Sequence, residues 1–560
     1  MEKIFCLIIF CTTLSFAQQS GGVTLLSHKN IPHGTSPQGT YFSACWGWVS
    51  PTGEEYAFIG NYDGMSIFSM VNDSLQEIQF IPGPHAGYAY REMKTYKHYL
   101  YIVSEGGSGV QIVDLSQLPD TAILVKNFNY ALGNKNIQRS HTVTLADGYL
   151  YLNGCANWGV GGMVIFDLHA NPTTPQYVGQ YQPDYIHDSY VKNDTIFGAA
   201  IYNGGGLYIA DVTNKSNPTT YKFIPYNGSG THHAWATVDS RFAFTTDEIG
   251  STASSLKIWE YRNPGVGPPY TPAAEYRANP TDKIHNVHGR GNYAYISHYG
   301  AGARVVDVHN PLSPTEVGGY DSYPGSVANY VGSWAVYPYF FSGRWIESDM
   351  QTGLYLMRFD QLLPRTRPTS LLPLNGSSVN DNSVTFKWTS AANQTEDPHW
   401  YELVITGQNY SKTIRVEDTV ATFENTVLGL QNGLEYSWFI KVADEFTEVN
   451  GKDTLHFTFN GTSVNVKDNT PLLSKFHLTQ NYPNPFNPTT KINFTLPQTD
   501  IVTLKVFNLV GDEVASLFDG MHPQGAYEIV WNAAQYPSGI YYYRLTVGNS
   551  VETKKMILMK

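Results

Sequence analysis

Alternation of apolar and polar residues dominates the first two thirds of the chain and predicts β-strands throughout this region. Between about residues 23 and 362 one pattern recurs seven times: a polar or aromatic opening, an alternating apolar strand, a glycine-rich turn, and an apolar strand that often ends in Asp. Successive openings lie 45 to 52 residues apart. They begin at Trp46, Arg91, His141, His187, His233, His285 and Ser333. The pattern therefore predicts seven small sheets of similar build.

Seven units of this length predict a seven-bladed β-propeller over residues 23–363. One twisted four-stranded sheet cannot bury both of its faces, whereas seven sheets packed around an axis bury them against each other. Glycine-rich stretches such as Gly204-Gly205-Gly206 are followed by strands rather than helices. We therefore interpret them as hairpin turns and not as phosphate-binding loops.

Composition supports an all-β extracellular protein. Charged residues make up 15% and aromatic residues 14% of the chain, whereas charged residues are about 25% of a typical soluble domain. The net charge of -12 leaves no general electrostatic footprint for a nucleic acid, so we expect no nucleic-acid partner.

The N-terminus is typical of a secretory signal peptide over residues 1–17. Lys3 supplies the positive charge, Ile4 to Phe10 forms the apolar run, and Ser15-Phe16-Ala17 places small residues before a cleavage site at Gln18. The apolar run is far shorter than the roughly 20 residues that span a bilayer, so we expect no transmembrane span. The predicted destination is the periplasm first, and then the outer-membrane surface or the medium.

Two of the four cysteines lie in the predicted signal peptide, and the mature chain keeps Cys45 and Cys155. An exported protein meets an oxidising environment, where an even number of cysteines permits a disulfide. Their single spacing has no diagnostic value. A disulfide between Cys45 and Cys155 and two buried free thiols are therefore both open alternatives.

The repeat units carry motifs that resemble a known class of propeller. Strands that end in Val-x-Asp or Ile-x-Asp are followed by Asn-Pro dipeptides at Asn171, Asn217 and Asn310, and this resembles LVIVD-repeat propellers. The histidine-bearing openings resemble more closely the choice-of-anchor B family. These histidines are His141, His187, His232, His233, His285 and His288. The resemblance implies a propeller displayed at the cell surface and implies no particular activity.

After the repeats, residues 364–368 form a short proline-flanked linker that we expect few contacts to cross. Residues 369–460 then read as about seven short strands. Trp388 on an early strand, together with Leu430, Gly433 and Tyr436 before a late strand, resembles a fibronectin type III sandwich with its tyrosine corner. We expect this domain to be a spacer, with a second linker at 461–474.

The last region, residues 475–560, carries the most specific motif of the chain. The motif is Asn481, Tyr482, Pro483, Asn484, Pro485, Phe486, Asn487 and Pro488. Together with the later strands it resembles the C-terminal sorting domain of type IX secretion, found in Bacteroidetes. The resemblance implies a small β-sandwich that the outer-membrane translocon binds as its partner.

Several histidines occupy equivalent positions in consecutive units, and rotational symmetry predicts that they converge at the channel. The candidate metal or ligand residues are His141, His187, Asp188, His233, His285 and His288. Asp247 or Glu248 are further candidate carboxylates for a divalent metal. The alternative is a polar channel in which the imidazoles bond to water and backbone. None of the motifs of serine hydrolases, metalloproteases or P-loop proteins occurs, so we assign no catalytic residue.

Two classes of function follow. The first is a secreted or cell-surface binding protein without catalysis, whose ligand is a glycan, peptide or protein. The alternative is a metal-dependent extracellular hydrolase or lyase that uses the histidine-rich face. Bound metal on the purified protein separates the two classes.

Overall fold

The computed structural model is all-β and forms two compact units, Met1–Ser463 and Val464–Lys560. It describes the following residues: 19–202, 204–249, 254–262, 270–323, 325, 330–391, 398–461, 477–481, 483–496, 500–509, 512–522, 525–547 and 550–559. The predicted signal peptide and Tyr482 of the sorting motif lie outside the described residues, as does all of the second linker except Gly461.

The first unit begins with seven antiparallel sheets, six of which follow one another directly along the chain. Two strands, β1 (Gln19–Ser20) and β2 (Val23–Lys29), precede them. The first sheet consists of β3 (Phe42–Val49), β4 (Glu55–Asn61), β5 (Gly64–Val71) and β6 (Ser74–Pro82), and the second of β7 (Arg91–Tyr96), β8 (Tyr99–Ser104), β9 (Val110–Asp114) and β10 (Ile123–Phe128). A separate hairpin of β11 (Tyr130–Leu132) and β12 (Lys135–Ile137) follows. The third sheet consists of β13 (Thr142–Ala146), β14 (Tyr149–Asn153), β15 (Met163–Asp167) and β16 (Gln176–Tyr181).

The remaining four sheets repeat the same up-and-down order. The fourth sheet consists of β17 (Asp188–Lys192), β18 (Thr195–Ala200), β19 (Gly206–Asp211) and β20 (Thr219–Pro225), and the fifth of β21 (Thr231–Ala236), β22 (Ala243–Asp247), β23 (Leu256–Trp259) and β24 (Ala274–Tyr276). The sixth consists of β25 (Asn286–Arg290), β26 (Tyr293–His298), β27 (Gly302–Asp307) and β28 (Thr315–Tyr320). The seventh consists of β29 (Ser333–Tyr337), β30 (Arg344–Asp349) and β31 (Gly353–Phe359) together with β2.

The two ends of this region meet in the seventh sheet. Strand β2 pairs with β31 in the register Val23↔Phe359, and β1 adds to the edge of the sixth sheet. The first strands of successive sheets pack in the order β3, β7, β13, β17, β21, β25 and β29, and β29 packs on β3 again. Every sheet therefore has a neighbour on both sides, which covers its apolar faces.

The predicted glycine-rich turns connect the second and third strands of their sheets. Gly109, between β8 and β9, shows why glycine is needed: its φ is +76°, and a Cβ there would lie 2.2 Å from the Phe128 carbonyl oxygen. The strand order shows no helix after such a turn in the described residues, as expected for hairpins.

The rest of the first unit, beginning at Ser370, forms two further sheets. The elements are β32 (Ser370–Leu372), β33 (Ser377–Val379), β34 (Ser383–Trp388), β35 (Trp400–Gly407), β36 (Tyr410–Val416), β37 (Val420–Glu424), α1 (Asn425–Leu428), β38 (Leu434–Ala443), β39 (Glu448–Asn450) and β40 (Leu455–Phe459). One sheet has the order β32-β34-β37 and the other β33-β40-β38-β35-β36, with β39 paired to β38. Trp388 and Trp438 are buried in this part, and the Tyr436 hydroxyl accepts a hydrogen bond from the Gln431 N–H at 2.8 Å.

The expectation that few contacts cross residues 364–368 is wrong. Arg367 donates to the Thr52 carbonyl oxygen at 2.9 Å, and the buried Arg365 pairs with Asp444. The reason lies in the loop between β38 and β39, because its Phe446 stacks on Tyr339 with ring centroids 3.9 Å apart. This aromatic contact joins the two parts of the first unit.

The second unit contains two sheets, β41-β42-β45 and β44-β43-β46-β47. Their strands are β41 (His477–Leu478), β42 (Thr489–Leu496), β43 (Asp500–Phe507), β44 (Glu513–His522), β45 (Gly525–Asn532), β46 (Gly539–Val547) and β47 (Ser550–Leu558). The predicted sorting motif packs on this unit: Phe486 is buried, and its N–H donates to the Ile557 carbonyl oxygen at 2.9 Å. Asn481, also buried, donates from its amide to the Thr490 hydroxyl at 2.9 Å.

The structure does not join Cys45 to Cys155, and the disulfide alternative is therefore not supported. Both are buried free thiols in different apolar clusters, Cys45 on β3 and Cys155 in the turn after β14. The Cys45 sulfur is 3.5 Å from the Ala335 carbonyl oxygen, and the Cys155 sulfur is 3.1 Å from the Ser140 hydroxyl. Burial raises the pKa of each thiol to about 12.

Candidate functional site

Four histidines occupy the same place at the start of four consecutive sheets. The backbone N–H groups of His141, His187 and His285 each donate to a carbonyl oxygen on the second strand of the same sheet, at 2.8 to 2.9 Å. In the fifth sheet this place belongs to His232. A bulge between Thr231 and His233 inserts one residue into β21, so that His233 pairs with Thr246. The prediction of His233 as the equivalent residue was therefore one position too late.

The rings of these four residues form an arc, which we call the outer histidine arc (His141, His187, His232 and His285). Ring centroids are 3.8 Å apart for the first pair, 4.3 Å for the second and 4.0 Å for the third. Trp334 of the seventh sheet continues the arc at 4.2 Å from His285. The last three imidazoles are buried, whereas His141 is partly exposed.

Hydrogen bonds to the backbone determine the tautomer of three imidazoles in the arc. Nδ1 of His187 lies 3.3 Å from the His232 carbonyl oxygen, and Nδ1 of His232 lies 2.9 Å from the His285 carbonyl oxygen. Nδ1 of His285 lies 2.5 Å from the Trp334 carbonyl oxygen. A carbonyl oxygen can only accept, so each Nδ1 carries the proton and each Nε2 presents a lone pair. This is the arrangement in which a histidine binds a metal through Nε2.

Two glutamates approach the arc, and each follows the second strand of its sheet. Glu248 lies after β22, with its carboxylate 3.6 Å from Nε2 of His232 and 4.0 Å from Nε2 of His285. The Tyr299 hydroxyl donates to this carboxylate at 2.6 Å and orients it. Glu105 lies after β8 and accepts a hydrogen bond from Nδ1 of His141. Sequence reasoning named Glu248 and missed Glu105, although both directly follow a second strand.

The ionisation of the arc differs from one end to the other. Burial, together with the neighbouring imidazoles, lowers the pKa of His187 and His232 well below the ordinary value. Burial also lowers the pKa of His285 to about 3. At His141 burial opposes protonation, but the hydrogen bond and the charge of Glu105 outweigh it and raise the pKa. Three imidazoles are therefore neutral at pH 7, as metal ligands must be.

Three histidines of the outer histidine arc, His141, His232 and His285, line a small pocket. Its empty volume is about 270 Å³, including the solvent at its mouth. The lining consists of Tyr90, Arg91, Glu92, Glu105, His141, Thr142, His232, His285 and Trp334. Among the described residues, two sets have ligand atoms within 4.8 Å of one another, and they share His232. One set is His141, His187 and His232, and the other is His232, Glu248 and His285.

The remaining predicted site residues lie apart from this pocket. His233 and His288, which we call the inner histidine pair, have ring centroids 5.1 Å apart. Nε2 of His233 is 3.6 Å from the Asp188 carboxylate, and burial raises the pKa of Asp188 to about 7. Trp235 lies 5.0 Å from the His288 ring and closes the pair from one side. The structure thus divides the predicted candidates into two groups.

Comparison with known families gives two partial matches. Residues 480–559 match the family described as the secretion system C-terminal sorting domain, and this match includes the predicted motif. Residues 283–322 match the LVIVD repeat, which covers the sixth sheet and includes His285 and His288. A search of curated proteins found no match. In the part of the chain that the structure describes, no helix is long and apolar enough to cross a membrane.

These matches support two coarse conclusions. The sorting domain implies export by type IX secretion to the cell surface or the extracellular space. The LVIVD repeat indicates a β-propeller-like fold, in agreement with the seven sheets.

Proposed function

We propose that this chain is an exported seven-bladed β-propeller that binds a divalent metal ion at the mouth of its central channel. The ligands are His232, His285 and Glu248. The observation that carries the proposal is the geometry of these side chains: two neutral imidazoles with Nε2 lone pairs face one carboxylate, and all three ligand atoms lie within 4.8 Å of one another.

An unpaired nitrogen supports this ligand set. His285 is 1% exposed, and among the described residues Nε2 of His285 has no hydrogen-bond partner. A buried polar atom without a partner costs about 1 to 3 kcal/mol of folding free energy. A metal ion would satisfy this atom. The Tyr299 hydroxyl and two backbone carbonyl groups supply the outer contacts that hold such ligands in place.

Imidazole and carboxylate ligands suit zinc and the other late first-row divalent metals. Three protein ligands leave a coordination position for water or for an exogenous ligand, as in catalytic zinc sites. The function that the site supports best is therefore metal-dependent hydrolysis or elimination on an extracellular polymer. A binding protein without catalysis is the second candidate, and a large polar groove beside the site favours it.

The architecture around the site is part of the proposal. We assign the signal peptide to residues 1–17, the propeller to 23–363, a fibronectin type III-like domain to 369–460 and the sorting domain to 475–560, with linkers at 364–368 and 461–474. The ring of first-strand contacts and the closure of the seventh sheet by β2 support seven blades. Deleting residues 475–560 should leave the protein in the periplasm, and surface labelling of intact cells tests this. Undiminished surface signal from the truncated chain would contradict the sorting assignment.

Metal analysis of the mature chain tests the metal site. Purified protein, stripped with a chelator and reloaded with Zn²⁺ or Mn²⁺, should retain about one equivalent after desalting. His285→Asn and Glu248→Gln should each lose it. Glu105→Gln is the matched control because Glu105 contacts only His141 of the arc, and this variant should retain the metal. If Glu105→Gln loses the metal while Glu248→Gln retains it, the ion belongs to His141, His187 and His232, and the proposed ligand set is wrong.

A further inference from the structure

A second, larger cavity opens next to the outer histidine arc. It is a groove with an empty volume of about 1370 Å³, including open solvent. Four segments line it: the connection after β6, the glycine-rich turn after β8, the hairpin β11–β12 with its flanking residues, and the turn after β14. Glu105 lines both the groove and the pocket of the arc, so the two cavities are adjacent.

One wall of the groove is an addition to the repeat. The chain between the second and third sheets contains the hairpin β11–β12, which pairs only with itself. In the described part of every other connection between successive sheets, no further strand occurs. A loop insertion that leaves the sheets unchanged and builds a cavity is typical of a binding site carried on a rigid scaffold.

The groove is polar and close to neutral. Its lining consists of His85, Glu105, Gly106, Gly107, Ser108, Asn129, Tyr130, Ala131, Asn136, Ile137, Gln138, Arg139, Ala156 and Asn157. Four of these side chains are carboxamides. Glu105 and Arg139 are the carboxylate and the guanidinium of this lining, and their charges cancel.

Two non-glycine residues of the lining have a left-handed backbone. Ser108 has φ +76° and Asn157 has φ +64°. Such a conformation is unfavourable for serine in particular and persists where the surrounding structure holds it, which is common at ligand sites. The Asn157 amide also donates to the Asn136 side chain at 3.4 Å, which links two walls of the groove.

We propose that this groove binds a neutral oligosaccharide, with one end of the chain near Glu105 and the outer histidine arc. Each sugar hydroxyl both donates and accepts hydrogen bonds, and a carboxamide offers both kinds of partner. The balanced charge gives no attraction to a polyanion or a polycation. About 800 Å³ of the groove is accessible to a water-sized molecule, which lies near the upper end of the 300 to 1,000 Å³ or so that is typical of ligand pockets, so the groove suits a short oligosaccharide. This inference deepens the proposed function by naming the polymer, but the binding itself does not need the metal.

Calorimetric titration of the mature full-length chain tests the inference. The probes are neutral hexasaccharides of β-1,4-glucose, β-1,4-xylose and β-1,4-mannose, with hexagalacturonate as the charged probe and an uncharged hexapeptide as the peptide probe. We expect at least one neutral sugar to bind and both other probes to fail. Binding of the galacturonate or the peptide in preference to every neutral sugar would overturn the proposal, and so would no binding by any neutral sugar.

A matched set of variants places the binding in the groove. Asn136→Ala combined with Asn157→Gly removes two carboxamides, and glycine preserves the left-handed backbone at position 157. Two lost hydrogen bonds should weaken binding about tenfold or more. Asn227→Ala changes an exposed asparagine outside the lining and should bind as the unmodified chain does. Equal affinity of the double variant and the control would place the sugar elsewhere.

Each titration is run on chelator-treated protein and on metal-loaded protein. Sugar binding in the absence of metal supports the groove whatever the metal analysis shows. Stoichiometric metal without sugar binding supports the metal site and overturns the groove proposal. The two failures are therefore distinguishable.

Discussion

The outer histidine arc and the inner histidine pair share the fifth and sixth sheets but differ in surroundings. His232 and His233 are adjacent in sequence, and His285 and His288 are three residues apart. The arc contacts Glu248 and Glu105, and three of its four histidines line a pocket that opens to solvent. The inner pair lies among the rings of Trp46, Trp235 and Tyr339, and no residue of the pair lines the pocket.

The comparison shows that burial alone does not identify a ligand site. Burial lowers the pKa of His233 and His288 well below the ordinary value, as it does for His232. Nδ1 of His288 also lacks a hydrogen-bond partner among the described residues, as Nε2 of His285 does. The difference lies in access. The loop that carries Phe446 packs on the rings that surround the inner pair, with the Phe446 ring 5.8 Å from Trp235, whereas His141 of the arc is partly exposed.

The largest expected difference is in the metal affinity of variants at two adjacent residues, His232 of the arc and His233 of the inner pair. His232→Asn should weaken metal binding by about 100-fold or more, because His232 belongs to both candidate ligand sets. His233→Asn should leave the affinity nearly unchanged. Equilibrium dialysis with Zn²⁺ measures both. Equal losses in the two variants would show that arc and pair form one site.

The substitution Phe446→Ala tests whether the Phe446 ring covers the surroundings of the inner histidine pair. Phe446 is half-buried and stacks on Tyr339, so removing its ring should lower the free energy of unfolding by about 2 to 3 kcal/mol. Phe446→Leu is the control, because it keeps most of the apolar volume and should lose less than half as much. Denaturant titration gives the stability, and metal content should remain unchanged in both. Metal loss in Phe446→Ala would mean that the packing of Phe446 also holds the arc histidines in place.

The inner pair should make stability sensitive to acid. The pKa of His288 is lowered in the folded protein, whereas an unfolded histidine titrates near about 6.5. Below that value the unfolded chain binds a proton that the folded chain does not. Stability contributed at neutral pH is therefore lost as the pH falls, by about 1.4 kcal/mol per pH unit for one such group.

The substitution His288→Gln removes the pH-dependent contribution of His288 to stability. The stability of the unmodified chain relative to this variant should fall between about pH 6.5 and pH 5. Using the difference between the two chains removes most of the opposite contribution of Asp188, whose pKa is raised. A difference that stays constant over this range would show that His288 is protonated or exposed in the folded protein.

The smallest expected effect is spectroscopic. In metal-free protein at pH 7, nitrogen-15 spectra should show Nδ1 protonated and Nε2 unprotonated for His187, His232 and His285, because each Nδ1 donates to a carbonyl oxygen. Adding Zn²⁺ should shift Nε2 of His232 and His285 and leave the inner pair unchanged. Protonated Nε2 in these residues would contradict the tautomers and the ligand set.

Much of the architecture could be predicted from the repeat, because strand alternation and turn glycines are local signals. The seven openings at steps of 45 to 52 residues correspond to the first strands of seven sheets, and the family matches support the sorting domain and an LVIVD repeat. The candidate site was predicted less well. Three of the four arc histidines are among the predicted candidates, but His233 was named in place of His232 because the bulge at Thr231 is not visible as a change in spacing.

The sequence by itself determined the all-β class, the repeat and the histidines at the sheet openings, since each depends on residues close together in the chain. Only the tertiary structure decided which of these histidines meet a carboxylate. Glu105 reaches His141 from the preceding sheet, Tyr299 orients Glu248 from the following one, and Phe446 packs on Trp235 beside the inner pair from outside the seven sheets. Such contacts depend on how whole sheets pack, and no local pattern in the chain encodes the distance between residues that are 36 to 211 positions apart.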